Sequence, residues 1–305
     1  MNDFPDFIIA GAAKCGTTSL SRYLDAHPEI YLPSRELNFF PFWNEQSGKN
    51  VQSDYKVLNH PFITRLDIYK KYYKNVKAPV KGEKSVSYFY PSFSKATIKN
   101  IIRIHPDPGK LKLIILLRNP VDRAFSQYIH NRDFHEKLSF DEAVEAWPQR
   151  EKEGWIPAYD YLGAGLYAEP MASYMQHFSQ IKVYLFEDLK NNPEKVLGDL
   201  YTYLGVSEML TGNYTIRYNV SKIPRNKLIH YLYQGLIAYN PLKYVLKYMM
   251  TDERFQALKL KLVSYTHYKP EVPDETRRRL VQYYKKDITA LQKLINRDLS
   301  HWMEP

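Results

Sequence analysis

The sequence predicts an α/β protein: a central parallel sheet flanked by helices, followed by a helical, Tyr-rich C-terminal portion. Three observations predict it. Four apolar runs of strand length, Asp6–Gly11, Gly82–Ser87, Lys112–Leu117 and Ile181–Phe186, punctuate the first two-thirds. Amphipathic segments follow most of them, and strand–helix alternation is the pattern of a parallel sheet covered on both faces. The first run also enters a glycine turn and then a hydroxyl-rich stretch that opens a helix.

Taken in order, Asp6–Gly11 is the first strand and about Thr18–His27 the first helix. Asp107-Pro-Gly109 is a turn that leads into the Lys112–Leu117 strand. Pro120 stands where a helix starts, since the first helical position needs no N–H, so Pro120–Arg132 reads as the helix. Ile181–Phe186 and Pro193–Leu204 repeat the strand-then-helix step. From Ile223 to His267 the pattern is helical and Tyr-rich, broken at Asn240-Pro241. Leu242, Val245, Leu246 and Met249 share one apolar face there, suited to packing or to a membrane-surface or partner helix. Asp287–Arg297 reads as a final helix on the core. Neither a repeat nor a long linker divides the chain. Residues 1–305 are therefore expected to form one domain, helical and basic from about 217 to 305.

Apolar residues make up 44% of the chain, enough for a substantial core. The 27 Tyr and 14 Phe fit a half-buried core edge, with a few left to line a sugar or purine pocket. A single cysteine excludes an intramolecular disulfide and a multi-cysteine metal site. The N-terminus lacks the basic and apolar regions of a secretory leader. No window of about 18 apolar residues offers a transmembrane helix, so a cytoplasmic location is the expectation. The net charge of +10 is concentrated: residues 217–300 carry 17 Lys+Arg against 7 Asp+Glu. That third suits an anionic ligand, an acidic acceptor or a peripheral membrane contact; a solvated basic face is the plainer alternative. No nucleic-acid module accompanies it.

Three segments carry candidate chemistry. The first is Lys14-Cys15-Gly16-Thr17-Thr18-Ser19, a P-loop-like turn after the first strand. Backbone N–H groups at a helix N-terminus face an anion. Gly16 permits close backbone approach to an oxyanion, Thr17, Thr18 and Ser19 add donors, and Lys14 can meet charge developing on a phosphate leaving group. Cys15 is a reactive thiol or a small space-filler. A nucleoside-triphosphate loop would place Lys directly after the second glycine, followed by a magnesium-binding Ser or Thr. Here the lysine comes two residues before Gly16.

The second segment is Arg118-Asn-Pro120 through Ser126. Arg118 ends a strand and offers a planar fork to a phosphate, and Ser126 adds a hydroxyl two turns along the helix. A strand-end arginine paired with a carboxylate is the structural alternative. A magnesium-binding version of this strand would end in Asp. The third segment is Arg35-Glu36-Leu-Asn38-Phe-Phe40 with Gly82-Glu83-Lys84-Ser85. A carboxylate beside an acceptor can take its proton, while Glu36 can equally be a surface group and Glu83–Lys84 a structural ion pair.

Together these segments resemble the sulfotransferases that use PAPS (3'-phosphoadenosine-5'-phosphosulfate), nearest the heparan-sulfate-type branch and its bacterial relatives. The resemblance runs from Asp6 to about Trp302. It implies that Lys14–Ser19 holds the 5'-phosphosulfate and that Arg118 and Ser126 hold the 3'-phosphate. Arg35–Phe40 matches the branch's Lys-Glu-x-His-Phe-Phe, which places Glu36 as the catalytic base and puts Asn38 where the branch has His. Glu83-Lys84-Ser-Val-Ser-Tyr-Phe89 matches Glu-Lys-[Ser/Thr]-x-x-Tyr-Phe, with Glu83 and Lys84 on the substrate. Gly165-Leu-Tyr167, Ile181–Leu189 and Pro193–Leu204 look like the family's late strand and helix. A late basic loop at Asn219–Lys227, departing from the branch's Lys-Gly-Arg form, would bring Lys222 and Arg225 over the nucleotide.

The activity implied is in-line transfer of a sulfuryl group from PAPS to a hydroxyl or amine, releasing PAP (adenosine 3',5'-bisphosphate) without a metal. The branch favours a carbohydrate acceptor; a hydroxylated lipid or a carrier-bound polyketide is the alternative. The rival classes are a P-loop nucleotide kinase and a non-catalytic anion-binding protein.

Overall fold

Phe7–Gly11 forms β1, and all of its residues are buried. Successive residues of a strand point to opposite faces, so a fully buried strand has both faces of its sheet covered, as its continuous apolar run requires. A computed structural model describes residues 3–43, 62–132, 134–208, 223–224, 267–268 and 270–304. The other strands of the sheet are β2 (Ile30–Tyr31), β3 (Val80–Lys84), β4 (Lys112–Leu117) and β5 (Ile181–Leu185). Their order is β2-β3-β1-β4-β5, and every pairing is parallel. Ile9 lies opposite Lys84, Gly11 opposite Ile115 and Leu117 opposite Leu185.

The C-terminal ends of β3, β1 and β4 therefore stand side by side along one edge, about 5 Å from strand to strand. With β3 on one side of β1 and β4 on the other, this edge is a topological switch point, where α/β sheets place their ligands. Gly82 is needed for β3 to sit so close to β1. A Cβ at this position would fall 2.2 Å from the Phe7 ring.

Around the sheet run α1 (Thr17–Asp25), α2 (Leu66–Lys70), α3 (Pro91–Ile104), α4 (Pro120–Asn131), α5 (Phe140–Glu145), α6 (Trp147–Lys152), α7 (Ala168–His177), α8 (Phe186–Asn191), α9 (Pro193–Leu204) and α10 (Asp274–Ile295). The start of α4 follows from its sequence. Pro120 takes the first helical position, and the Asn119 side chain accepts from the Val121 N–H at 3.0 Å. Ser139 and Glu142 form a capping box on α5. α10 buries Leu280, Val281, Tyr284, Ile288 and Leu291, a one-sided helical stripe. Its Asp287 accepts from the Tyr167 and Ala168 N–H groups at 2.8 and 3.1 Å, which caps α7.

Several boundaries differ from the sequence reading. β3 spans Val80–Lys84 rather than Gly82–Ser87, and Phe186 opens α8 instead of ending β5. The last helix begins at Asp274, well before Asp287. Its early arginines pair with the body of the fold: Arg277 with Asp122 at 2.6 Å, Arg279 with Asp141 at 2.9 Å and with Glu145 at 2.5 Å. The chain divides into two compact units, residues 1–219 with 273–305, and residues 220–272. In the second, Ile223–Pro224 (β6) pairs antiparallel with His267–Tyr268 (β7). Both ends of the expected helix are thus extended, and Pro224 restricts Ile223 before it to that conformation. Asn240-Pro241, the Leu242–Met249 face, Lys222 and Arg225 lie outside the described residues.

Candidate functional site

The turn between β1 and α1 is shaped for an anion. Lys14 adopts φ 65° and Gly16 φ 91°, both left-handed. For lysine that conformation costs about 1–2 kcal/mol, so the fold over-determines it here. The Cys15 N–H turns back to the Ala12 carbonyl at 3.3 Å, and the first helical bond runs from the Leu20 N–H to Gly16 at 3.1 Å. No side chain caps α1. Its first-turn N–H groups, at Thr17, Thr18 and Ser19, are the ones a helix leaves without an intrahelical partner, and α1 opens just after the C-terminal end of β1.

Cys15 is fully buried, with its Sγ 3.5 Å from the Ala13 carbonyl and 3.8 Å from the Tyr167 hydroxyl. Burial pushes the thiol up to about 11, against the pull of Arg123 and Arg118. The side chain is a space-filler; a reactive thiol would need the opposite shift.

Arg118 leaves the end of β4 and donates to the Lys14 carbonyl at 3.2 Å. Its guanidinium lies 4.8 Å from the Phe186 ring centroid. A Cβ on Gly16 would meet that same ring at 3.1 Å. Phe186, the first residue after β5, thus fills the angle between loop and arginine. Ser126 sits two turns into α4 and is buried. Among the described residues Arg118 pairs with no carboxylate; its guanidinium meets the Lys14 carbonyl and the Phe186 ring. The donors gathered here are cations, amides and hydroxyls, a set that fits phosphate and sulfate oxygens.

At the end of β3 the carboxylates part company. Glu83 and Lys84 are neighbours on a strand and point to opposite faces, so they do not pair with each other. Lys84 reaches Glu36 at 3.1 Å, and the Val86 N–H donates to the other Glu36 oxygen at 3.4 Å. Glu36 keeps 28% of its side chain exposed, so its carboxylate remains open to a ligand. Glu83 is fully buried among the hydroxyls of Tyr69, Tyr88 and Ser85. Burial pushes its carboxyl up to about 7, against the lowering effect of those three donors. Its expected contact with substrate has no open surface to act through. Asn38 occupies φ 47°, a left-handed conformation that Asn tolerates well. Its side-chain oxygen accepts from the Ser87 hydroxyl at 2.6 Å.

Three further residues escaped the sequence reading. Phe186 carried one signal, its place after the last parallel strand. Arg123 is fully buried and donates to the Tyr161 carbonyl; its Nε and Nη1 have no partner among the described residues. It is a fixed positive charge behind the loop. His130, one turn beyond Ser126, has an exposed edge, yet crowding and then the Lys14 charge push its pKa down. Among the described residues, no His/Cys/Asp/Glu group is placed to hold a metal ion, and no helix is long and apolar enough to cross a membrane.

Comparison with known proteins places the chain among sulfotransferases. Over 229 residues the chain is 27% identical to bifunctional heparan sulfate N-deacetylase/N-sulfotransferase 1 of Xenopus laevis, covering 72% of this chain and 24% of that protein. It is 24% identical to the human enzyme 3 of the same name over 303 residues, covering 96% of this chain and 30% of that protein. It spans less than a third of the length of these curated relatives. The crystal structure of a sulfotransferase from Alicyclobacillus acidocaldarius superposes with a TM-score of 0.71 at 29% identity, covering 99% of both chains. The description "Sulfotransferase family" matches residues 5–209. With more than half its length matched, the chain belongs to the sulfotransferase family.

Proposed function

We propose that this protein transfers a sulfuryl group from PAPS to a hydroxyl or amine of a carbohydrate acceptor and releases PAP. The observation that carries the reading is the hydrogen bond from Arg118 to the Lys14 carbonyl, which joins two anion-ready elements at neighbouring strand ends. A nucleotide with phosphates at both the 5' and 3' positions uses both. The loop amides and Lys14 hold the 5'-phosphosulfate, and Arg118 with Ser126 holds the 3'-phosphate. Lys222 and Arg225 lie outside the described residues, and their nucleotide role rests on the sequence resemblance alone.

Glu36 stands at the next strand end, open to solvent on one side and oriented by Lys84 and the Val86 N–H. It takes the proton of the attacking hydroxyl or amine. A bond forms from the acceptor oxygen or nitrogen to sulfur, and the bond from sulfur to the bridging oxygen breaks. That oxygen stays on the 5'-phosphate of PAP, where Lys14 and the first-turn amides of α1 stabilise the charge it gains. The acceptor class rests on the relatives, whose names specify heparan sulfate.

The test is calorimetric binding of PAP, 5'-AMP and Mg-ATP, followed by transfer from radiolabelled PAPS to a de-N-sulfated heparan chain. Tight PAP binding that weakens sharply without the 3'-phosphate, with label on the polysaccharide, is the expected result. Mg-ATP binding without PAP binding would overturn the reading in favour of a nucleotide kinase. PAP binding with label only on a hydroxylated lipid or carrier-bound substrate would keep the donor and replace the acceptor.

A further inference from the structure

Glu83 is the most enclosed carboxylate near the site, and the proposed chemistry makes no use of it. One of its oxygens, Oε1, accepts from the Ser85 hydroxyl at 2.7 Å and from the Tyr88 hydroxyl; the other, Oε2, accepts from the Tyr69 hydroxyl at 2.5 Å. Two of those hydroxyls continue outward. Tyr88 Oη accepts the Phe39 N–H at 2.9 Å, and Ser85 Oγ accepts the Asn38 N–H at 3.0 Å. A backbone N–H can only donate. With Glu83 ionised, each relay hydroxyl accepts on the outer side and sends its own hydrogen inward to Glu83.

The segment held in this way is the one that carries Glu36. Asn38 and Phe39 follow it by two and three residues, and Glu36 itself is held from the same stretch through the Val86 N–H and Lys84. Phe39 also stacks on Tyr69, with ring centroids 4.1 Å apart and an interplanar angle of 16°. One buried carboxylate is thus linked, through two hydroxyls, to the backbone just after the half-buried Glu36. The titratable groups facing Glu83 are Tyr69 and Tyr73 from the α2 region, Tyr88, and Glu36, the neighbouring carboxylate.

We propose that Glu83 is a positioning residue, which aims the Glu36 base at the acceptor through the Tyr88 and Ser85 hydroxyls. This rests on Glu36 being the base in the proposed transfer. Glu83 touches neither donor nor acceptor. Its effect belongs to the placement of Glu36 and disappears when Glu36 no longer acts as a base.

Tyr88→Phe tests this directly, since it keeps the ring and removes one relay. The experiment is a double-mutant cycle with Glu36→Gln, read as kcat for transfer from radiolabelled PAPS to de-N-sulfated heparan, with PAP affinity by calorimetry alongside. Tyr88→Phe alone is expected to lower kcat by about 10- to 100-fold, the scale of a misplaced catalytic group, with PAP affinity unchanged. In the Glu36→Gln background it should lower kcat no further. Glu83→Gln keeps one oxygen for both relay hydroxyls and can donate its amide to Tyr69, so it should retain most of the activity that Glu83→Ala loses. A wild-type kcat in Tyr88→Phe would overturn the inference, as would an equal loss in both backgrounds. Wild-type protein that neither binds PAP nor transfers sulfuryl would instead overturn the sulfotransferase reading beneath it.

Discussion

Arg118 donates to the main-chain carbonyl of Lys14 at 3.2 Å, so the residue that ends β4 also braces the loop that follows β1. Two consequences can be separated by substitution. In the proposed donor site Arg118→Ala would remove a charge-assisted bond to the 3'-phosphate, which is worth about 1.5–3 kcal/mol or roughly 10- to 150-fold in affinity. The preference for PAP over 5'-AMP should collapse by that factor in calorimetry. Arg118→Lys keeps the charge but loses the fork and its stacking on Phe186, so it should recover only part of the preference. An unchanged PAP to 5'-AMP ratio in Arg118→Ala would place the 3'-phosphate elsewhere.

Lys14 combines a charge with an unfavourable backbone conformation, and two variants pull these apart. Lys14→Ala loses the ammonium and leaves a Cβ at φ 65°. Lys14→Gly loses the ammonium but suits that backbone, so it should melt higher than Lys14→Ala by the equivalent of about 1 kcal/mol. Both should lose about 100-fold or more in kcat, because in the proposed transfer Lys14 acts on the leaving group through its ammonium, which both variants lack. If kcat followed the melting temperature instead, the lysine would matter for loop shape and not for the leaving group.

Cys15 offers a chemical check on the same loop. Its thiol is buried and pushed up to about 11, so almost none is thiolate at neutral pH. An aromatic disulfide reagent should react with native protein at pH 8 far more slowly than with protein unfolded in guanidinium. The linkage sign follows from the raised value. The folded state favours the neutral thiol, so its stability contribution is complete below the usual 9.0 and is lost as pH rises through about 11. Fast modification of the native protein would show that the loop opens readily, contrary to its packing.

The strand-and-helix frame was legible because its signals are local. The run that becomes β4 and the Pro120 start of α4 depend on neighbours within a few residues, and both were read at the boundaries the fold uses. The Glu83–Lys84 relationship was legible in principle, since adjacent strand residues cannot share a face. Reading them as an ion pair ignored that period. What the sequence could not reveal is contact across long separations. Asp122 and Arg277 pair over 155 residues, and Asp188 and Arg297 over 109. Those pairs absorb part of the basic charge that reads as a free surface along the C-terminal third. Glu83's partner Tyr69 was equally hidden, because α2 shows no strong period.

Glu136 and Arg150 form a buried, bidentate pair at 2.7 and 2.8 Å, and the Tyr161 hydroxyl adds a third bond at 2.7 Å. Burial alone would raise the Glu136 carboxyl, but the Arg150 and Tyr161 donors outweigh it and hold the group below its ordinary value. A depressed carboxylate contributes stability above its unfolded value of 4.5, and that contribution is lost as pH falls through the lower folded value. Glu136→Gln leaves the Arg150 charge buried and unmatched, which should cost about 3–5 kcal/mol at pH 7. Thermal melts of both proteins from pH 7 downward test this. The gap between them should be wide at pH 7 and narrow steadily below pH 4.5 as the wild-type carboxyl takes up its proton. A gap that stays constant with pH would mean that Glu136 contributes shape rather than charge. PAP affinity of the folded variant should match wild type, since this pair belongs to the support of α4 and not to the strand-end edge.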